Sequence, residues 1–218
     1  EAYRYLWDEY DWDTFMLVFT GSDRLEHFLW DAYEDPENEH HDKFLKFFER
    51  LDEVIGEINQ KLGEDDSLIM LSDHGMERTK YNVNLNAYLK REGYLKLSDD
   101  EDKDKYNKIE EGTKAFALEH GRIYLNGEDD YPRGSVKAEE RGEIISELKE
   151  IFQNLEIEGE KVIKNIHEKD EIYRGNQIDK APDLTLVPES GFNLRGKITD
   201  EPYEESPLTG MHNREAFI

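Results

Sequence analysis

The sequence predicts an α/β fold with a mostly parallel sheet and flanking helices. Two short apolar runs, DTFMLVFT at 13–20 and LIML at 68–71, have the length and composition of buried strands. Between them, residues 42–62 carry apolar side chains at the spacing of a long amphipathic helix. The order strand, helix, strand is typical of a βαβ unit, whose strands run parallel and end at the same edge of the sheet.

The charge balance excludes several classes of partner. The 218 residues include 53 acidic and 28 basic side chains, a formal net charge of −25. Because no basic patch is available to neutralise phosphates, we expect the chain to bind neither nucleic acid nor an anionic membrane. Hydrophobic residues make up 36% of the chain, which is low but sufficient for a core, so the chain is expected to fold.

The absence of cysteine limits the chemistry of any metal site. Without thiolates, the ligands must be Asp, Glu and His, a donor set that suits zinc, manganese or magnesium. The sequence also has no apolar run of membrane-spanning length and no signal peptide. The expected location is therefore cytoplasmic.

A carboxylate and an imidazole follow each of the two predicted strands. Asp73 and His74 come directly after the second strand, with Gly75 behind them. Asp23 and His27 follow the first strand, and their spacing of four places both side chains on one helix face. Both pairs are expected at one sheet edge as metal ligands. The alternative is that the carboxylates cap a helix and a turn and that the histidines are structural or surface residues.

The rest of the chain mixes short helices and strands without an internal repeat. Residues 98–108, SDDEDKDKYNK, are predicted to be a charged linker or exposed loop. One late histidine, His212, lies in a loop, and spacing alone does not distinguish it from His120 or His167. Apolar periodicity predicts helices at 1–11, 85–91 and 139–155, and strands at 115–118, 122–126, 161–166 and 183–187.

Three segments in this order, FTGSDRLEHFLW, SDHGM and GMHNREAFI, resemble the alkaline phosphatase superfamily. Within it, the chain is most similar to the type I phosphodiesterase/nucleotide pyrophosphatase group, especially its prokaryotic phosphohydrolase/phosphomutase-like members. Further similar segments are VNLNAYLKREGYL, KAFALEHGRIYLN, EIYRGN and APDLTLVPES, so the likeness spans most of the chain. The three motifs together are fairly specific, whereas each one alone is weak.

The resemblance implies an alkaline phosphatase-like α/β domain that holds two divalent metal ions, zinc or manganese. By position, Asp23, His27 and His212 would hold one ion, and Asp73 and His74 would hold the other. The two Asp/His pairs were also indicated by spacing. The assignment of His212 comes from the resemblance alone.

The resemblance also implies a division of the chain. Residues 1–79 would form the metal-binding part of the α/β catalytic core, and 206–218 the third metal motif of that core. Residues 80–205 would form an inserted α+β cap region that returns to the core, a usual place for substrate specificity. Three arginines of the cap are candidates to meet a substrate phosphate, with surface salt bridges as the alternative: Arg133, Arg174 and Arg195.

One part of the family pattern has no counterpart here. In the family, the nucleophilic Thr or Ser and another metal-binding Asp precede the Asp-x3-His motif, whereas only 22 residues precede Asp23. Asp8, Asp11 and Asp13 lie before the predicted strand, at its wrong end, and Thr20 belongs to the Asp-x3-His motif itself. The resemblance therefore implies the C-terminal portion of a catalytic domain, without its nucleophile and with little or no activity in isolation.

The expected function is metal-dependent hydrolysis of a small-molecule phosphate ester or nucleotide, of the phosphodiesterase/nucleotide pyrophosphatase type. Two alternatives stay open: a phosphomutase or sulfatase of the same superfamily, and a non-catalytic metal-binding or interaction module. The presence of all five candidate ligands argues against the module, since drift would have removed at least one. Exposed core edges would also allow a homo-oligomer.

Overall fold

A computed structural model describes residues 2–99 and 106–217 of the chain. It is a mixed helix and sheet structure that divides into two compact units. The first unit comprises Glu1–Met76 and Leu208–Ile218, and the second comprises Glu77–Pro207. The roles of catalytic core and cap that the sequence assigns to residues 1–79, 80–205 and 206–218 stay a prediction.

The described residues form six α-helices and eleven strands. The helices are α1 (Ala2–Glu9), α2 (Thr20–Glu34), α3 (His41–Lys61), α4 (Leu85–Arg91), α5 (Arg141–Gln153) and α6 (Lys169–Ile172). The strands are β1 (Gly75–Arg78), β2 (Tyr81–Asn84), β3 (Ala115–Leu118), β4 (Arg122–Leu125), β5 (Glu156–Ile157), β6 (Glu160–Lys161), β7 (Ile163–Glu168), β8 (Leu184–Pro188), β9 (Phe192–Arg195), β10 (Tyr203–Glu205) and β11 (Gly210–Asn213). The four predicted helices are confirmed to within two residues at each end, since α1, α3, α4 and α5 occupy their places.

In the first unit, α2 packs against α3 through aromatic side chains. Phe44 of α3 is buried, and its ring centroid lies 5.7 Å from that of Tyr33 and 5.1 Å from that of Phe48. Asp42 in the first turn of α3 and Lys61 in its last turn complement the helix dipole. The long helix α3 thereby supports α2, which carries Asp23 and His27.

A hydrogen-bonded cluster attaches α1 to α3. The hydroxyl of Tyr3 donates to Glu57 Oε2 at 2.7 Å, and Arg4 donates to the same oxygen through Nε at 3.0 Å and Nη2 at 2.5 Å. These hydrogen bonds hold the pKa of the Glu57 carboxyl below its ordinary value of 4.5. The charged form of Glu57 is therefore the one that stabilises the contact.

Replacing Glu57 by glutamine is expected to lower the melting temperature at neutral pH and to have no effect in strong acid. A carboxylate whose pKa is lower in the folded than in the unfolded state stabilises the fold above the unfolded pKa. That stabilisation is lost as the pH falls through the folded pKa, so the difference between wild type and Glu57→Gln should close below pH 4.5. Thermal melts followed by circular dichroism between neutral pH and strong acid measure this difference.

The matched control for this prediction is Glu53→Gln on the same helix. Among the described residues, Glu53 pairs with Arg50, one turn away on the exposed surface, so its replacement should shift the melting temperature little at any pH. A Glu57→Gln difference that stayed constant down to strong acid would contradict the prediction.

The two runs that the sequence predicts as buried strands form neither strand nor helix, and this prediction is wrong for the structure. Residues 14–19 and 67–72 pair with no strand among the described residues, and all of their side chains except Phe15 and Ser72 are exposed, with Met16 at 85% and Ile69 at 72%. An apolar run becomes a central strand only when neighbouring strands and a covering layer exist. Within the described residues these neighbours are missing.

The mostly parallel sheet is not confirmed, because the sheets are small and largely antiparallel. In the second unit, the four-stranded sheet has the order β3-β4-β8-β7, and all of its neighbouring strands are antiparallel. A three-stranded sheet has the order β10-β2-β9, and its β2–β9 pair is parallel. Two further pairs, β5–β6 and β1–β11, complete the sheets of the described residues.

The core of the second unit lies between α5 and the inner faces of these sheets. Ala115 and Ala117 of β3 alternate with half-exposed residues, which is the pattern of a strand covered on one face. From α5, Leu148 and Phe152 are fully buried in the same cluster. The predicted strands at 115–118, 122–126, 161–166 and 183–187 are confirmed with shifts of up to two residues.

Two sequence-based expectations concern segments outside this core. The charged stretch at 98–108 lies partly outside the described residues, and its end, Tyr106–Lys108, forms a short 3-10 helix. None of the helices in residues 2–99 and 106–217 is long and apolar enough to cross a membrane.

Candidate metal centre

Three side chains of the first unit meet at one point. Asp23 and His27 come from α2, and His212 comes from β11. Asp23 Oδ1 lies 2.9 Å from His212 Nε2 and 3.5 Å from His27 Nε2, and the two imidazole nitrogens are 3.0 Å apart. One oxygen and two nitrogens therefore form a small triangle, half exposed to solvent.

The backbone of β11 determines which nitrogen of His27 is available. His27 Nδ1 lies 2.9 Å from the carbonyl oxygen of Gly210, which can only accept a hydrogen bond. In the neutral ring Nδ1 therefore carries the proton, and Nε2 keeps its lone pair facing Asp23 and His212. This is the tautomer that a metal ligand requires.

A kink in α2 allows β11 to approach the helix closely. Leu29 has non-helical torsion angles, φ −132° and ψ 28°. The N–H of Trp30 donates to Thr209 Oγ1 at 2.8 Å, and the N–H of Thr209 donates to the carbonyl oxygen of His27 at 3.0 Å. These hydrogen bonds join residues that are far apart in sequence, and they place His212 beside the first turns of α2.

Gly210 is required at this approach because any side chain would meet the helix backbone. A Cβ on Gly210 would overlap the carbonyl oxygen of Glu26 and lie 3.2 Å from Trp30 Cβ. Gly210→Ala is therefore expected to displace β11 and to weaken Zn²⁺ binding by about tenfold or more, the usual cost of disturbing groups that orient a ligand. Isothermal titration calorimetry measures the affinity.

The control for this substitution is Gly56→Ala in α3, where a new Cβ would meet nothing within 4 Å. It should leave Zn²⁺ binding unchanged and stabilise the helix slightly, because alanine has the higher helix propensity. Unchanged affinity in Gly210→Ala would contradict the proposed role of the close approach.

The second predicted pair lies beside the first set of ligands. His74 Nε2 is 3.8 Å from Asp23 Oδ1 and 3.6 Å from Asp73 Oδ1, and the His74 ring stacks on His212 with centroids 3.5 Å apart. His74 Nδ1 faces the carbonyl oxygen of Gly75 at 3.2 Å, which again leaves Nε2 with its lone pair. The side chain of Asp73 is 89% exposed. The structure therefore brings His74 to the centre and leaves Asp73 at its rim.

One acidic residue near the centre was not indicated by the sequence. Glu26 lies one turn from Asp23 on α2 and is half-buried. Burial raises the pKa of its carboxyl, and the negative charge of Asp23 raises it further. The spacing of three from Asp23 is the signal that could have found it, but acidic residues are too frequent in this chain for that spacing to stand out.

The predicted absence of a nucleophile from this chain stays a prediction. In the part of the chain that the structure describes, no serine or threonine hydroxyl forms a hydrogen bond with Asp23, His27, His74 or His212. Thr20 is the first residue of α2.

The three arginines of the predicted cap have local partners in the second unit. Arg195 Nε donates to Glu119 at 2.9 Å. Arg133 donates to the backbone carbonyls of Asn107 and Ile109, and Arg174 donates to that of Asp170. These contacts favour the surface-contact alternative over a phosphate-binding role.

The comparisons with known proteins identify a family. A model of the family described as type I phosphodiesterase/nucleotide pyrophosphatase matches residues 1–214, and this agrees with the alkaline phosphatase superfamily. No curated protein and no solved structure matches the chain. Because the family model covers almost the whole chain, the protein belongs to the type I phosphodiesterase/nucleotide pyrophosphatase family.

Proposed function

We propose that this chain supplies the metal-binding part of a metal-dependent phosphoric ester hydrolase of the phosphodiesterase/nucleotide pyrophosphatase type, which acts on a small phosphate ester or nucleotide. The observation that carries the proposal is the triangle of Asp23 Oδ1, His27 Nε2 and His212 Nε2, with all three sides between 2.9 and 3.5 Å. Family membership supports the substrate class, because the family name describes phosphodiester and pyrophosphate chemistry.

The donor set fits a divalent cation. Zinc binds imidazole nitrogen and carboxylate oxygen at about 2.0–2.1 Å in a tetrahedron, which separates the ligand atoms by about 3.3 Å. The observed separations are close to this value, and His27 already holds the ligating tautomer. We propose that Asp23, His27 and His212 hold one zinc or manganese ion and that Asp73 and His74 hold a second one.

A bound divalent ion supplies positive charge that polarises a phosphoryl oxygen and lowers the pKa of an attacking hydroxyl or water. The chain's own residues would orient the bound ion and neutralise part of its charge. Asp23 Oδ1 lies within 3.8 Å of His27, His74 and His212, so a single carboxylate faces all three imidazoles. The remaining chain charge is strongly negative, so an anionic substrate would be repelled without cations at this centre.

We propose that this chain supplies the metal binding and the orientation of the phosphate. The location of the nucleophile outside the centre stays a prediction, and a non-catalytic metal-binding module is the alternative that needs no nucleophile. A phosphomutase or a sulfatase would use the same ligands, and no contact at the centre favours either of them.

The proposal is tested by binding and hydrolysis together. The metal-loaded chain should bind inorganic phosphate in a calorimetric titration, and the chain treated with a chelator should not. A nitrophenyl phosphodiester should be hydrolysed no faster than in buffer containing the same metal. Equal phosphate binding with and without metal would overturn the proposed metal role. Robust turnover that His27→Ala abolishes would overturn the assignment of a nucleophile-free centre.

A further inference from the structure

Two segments that carry candidate ligands lie against each other in the first unit. We call residues 72–76 and 212–217 the ligand segments, because together they contain three of the five candidate ligands. The N–H of Ser72 donates to the carbonyl oxygen of Phe217 at 3.0 Å, and the N–H of Phe217 donates to Ser72 Oγ at 3.1 Å. This pair of hydrogen bonds joins the start of the first ligand segment to the end of the second.

A single asparagine joins the other ends of the ligand segments. Asn213 Nδ2 donates to the carbonyl oxygen of Met76 at 3.0 Å, and Asn213 Oδ1 accepts the N–H of Glu215 at 3.0 Å. The second bond is an Asx turn, which fixes the amide against its own backbone. Because Nδ2 can only donate and Oδ1 can only accept, the two partners determine one orientation of the amide. Asn213 therefore holds the first ligand segment through a side chain that would lose both bonds if it turned.

This asparagine also explains why a glycine follows His74. A Cβ on Gly75 would overlap both Asn213 Oδ1 and the carbonyl oxygen of Glu215. Only glycine allows another part of the chain to approach its backbone so closely. The turn at Asn213 therefore contacts the backbone directly after a candidate ligand.

His74 and His212 are the imidazoles nearest to this contact in sequence. Their rings stack with centroids 3.5 Å apart, and Asp23 Oδ1 lies 2.9 Å from His212 Nε2 and 3.8 Å from His74 Nε2. In the proposed function these two histidines hold different ions, so the distance between the ligand segments determines the distance between the ions. Sites that use two metal ions need them about 3.5–4 Å apart.

We propose that Asn213 is a positioning residue that holds His74 against His212 and thereby sets the separation of the two ions. Its effect on metal binding rests on the proposed function, whereas its effect on the two imidazoles does not. Its amide is not itself a ligand in this role, because both of its polar atoms are bonded to the backbone.

The test compares Asn213→Asp with the wild type in two measurements. Aspartate keeps the shape and the acceptor for the N–H of Glu215, but it has no donor for the carbonyl oxygen of Met76. Nuclear Overhauser spectra of the metal-free chain with labelled histidines show whether the rings of His74 and His212 stay in contact, and we expect their cross-peak to be lost. Calorimetric titration measures the Zn²⁺ affinity, and we expect about tenfold weaker binding.

The same variant separates positioning from charge. A new carboxylate beside the centre would strengthen the binding of a cation by charge alone, so weaker binding assigns the effect to the lost hydrogen bond. Asn213→Ser repeats the test without a charge, because its hydroxyl can replace the turn but is too short to reach Met76. Circular dichroism checks that each variant is folded under the conditions of both measurements. A purely structural role would lower the melting temperature without separating the two rings in the folded chain.

The matched control is Asn38→Asp in the same unit. Asn38 Oδ1 accepts the N–H of His40 at 2.9 Å, which is the same two-residue turn, and Asn38 Nδ2 donates to Asp31 Oδ2 at 3.4 Å. Neither partner is a candidate ligand. We therefore expect this variant to keep both the cross-peak and the Zn²⁺ affinity of the wild type.

Three results would overturn the proposal. The first is a cross-peak between His74 and His212 that persists in both Asn213 variants, and the second is a cross-peak that is absent from the wild type. The third is Zn²⁺ affinity of wild-type strength or higher in Asn213→Asp. Failure of the proposed function would look different: neither wild type nor variants would bind Zn²⁺, while the loss of the cross-peak in the Asn213 variants would still support the positioning of the two histidines.

Discussion

His27→Ala is expected to weaken Zn²⁺ binding by more than about 100-fold, since even changes to groups behind a metal ligand cost about 10–100-fold. The imidazole supplies one of three donor atoms that lie within 3.5 Å of one another. Its removal leaves the first ion with Asp23 and His212, two of its three proposed ligands, and so weakens its binding. Calorimetric titration of the folded variant with Zn²⁺ and with Mn²⁺ measures the loss.

His40→Ala is the matched control, because His40 is a half-exposed histidine of the same unit that, among the described residues, forms an ion pair with the neighbouring Glu39 and with no candidate ligand. It should leave the affinity unchanged. Asp73→Ala tests the second ion, and we expect the stoichiometry to fall from two equivalents to one while the tighter site persists. Saturable binding of wild-type strength in His27→Ala would place the metal elsewhere and contradict the proposed centre.

The helices and the strands of the second unit could be predicted because their signals are local. The buried positions of α5, Ile144, Leu148 and Phe152, recur at helical spacing, and alternation in β3 marks its covered face. The pairing of β2 with β9 had no such signal, because it joins residues more than a hundred positions apart. Sheet order depends on these long-range pairings, so the expected parallel sheet could not be checked from the sequence.

The apolar runs at 13–20 and 68–71 show the limit of composition as evidence. A run of large aliphatic residues indicates that burial would be favourable, but it does not say what buries it. In the structure Val18 and Leu71 are both 65% exposed. The apolar composition that favours burial is therefore present, but no group of the described residues covers these two side chains. The two strands were therefore misassigned because composition does not specify the neighbouring strands that a buried strand needs.

Residues of the candidate centre that lie close together in sequence could be predicted to meet, whereas residues far apart in sequence could not. Asp23 and His27 lie four residues apart on α2, and helix geometry alone brings them together. His212 meets them across 185 residues, and only resemblance to the family singled it out. The hydrogen bond between His27 Nδ1 and the carbonyl oxygen of Gly210, which selects the tautomer of His27, could not be predicted from side chains because its acceptor is a backbone atom.

Asp183→Ala is expected to destabilise the second unit by about 3–5 kcal/mol, the usual cost of removing one partner from a buried ionic network. The side chain of Asp183 is 4% exposed and holds three elements together. Its Oδ2 accepts the N–H of Leu125 at 2.8 Å, and its Oδ1 accepts Arg141 at 2.7 Å and Lys169 at 3.1 Å. The alanine variant would leave Lys169 and the buried N–H of Leu125 without this acceptor, while Arg141 would keep its ion pair with Asp130.

Urea unfolding followed by far-ultraviolet circular dichroism measures this loss of unfolding free energy. Two further variants test its cause. Asp183→Asn keeps an acceptor for the N–H of Leu125 but removes the charge, so its cost should fall between wild type and Asp183→Ala. Asp200→Ala removes an exposed carboxylate paired with Lys90 and should cost less than about 1 kcal/mol, as surface ion pairs do. If Asp183→Ala cost no more than Asp200→Ala, then Asp183 would not hold these elements together. Equal costs for the alanine and asparagine variants would assign the whole effect to the charge and none to the hydrogen bond from Leu125.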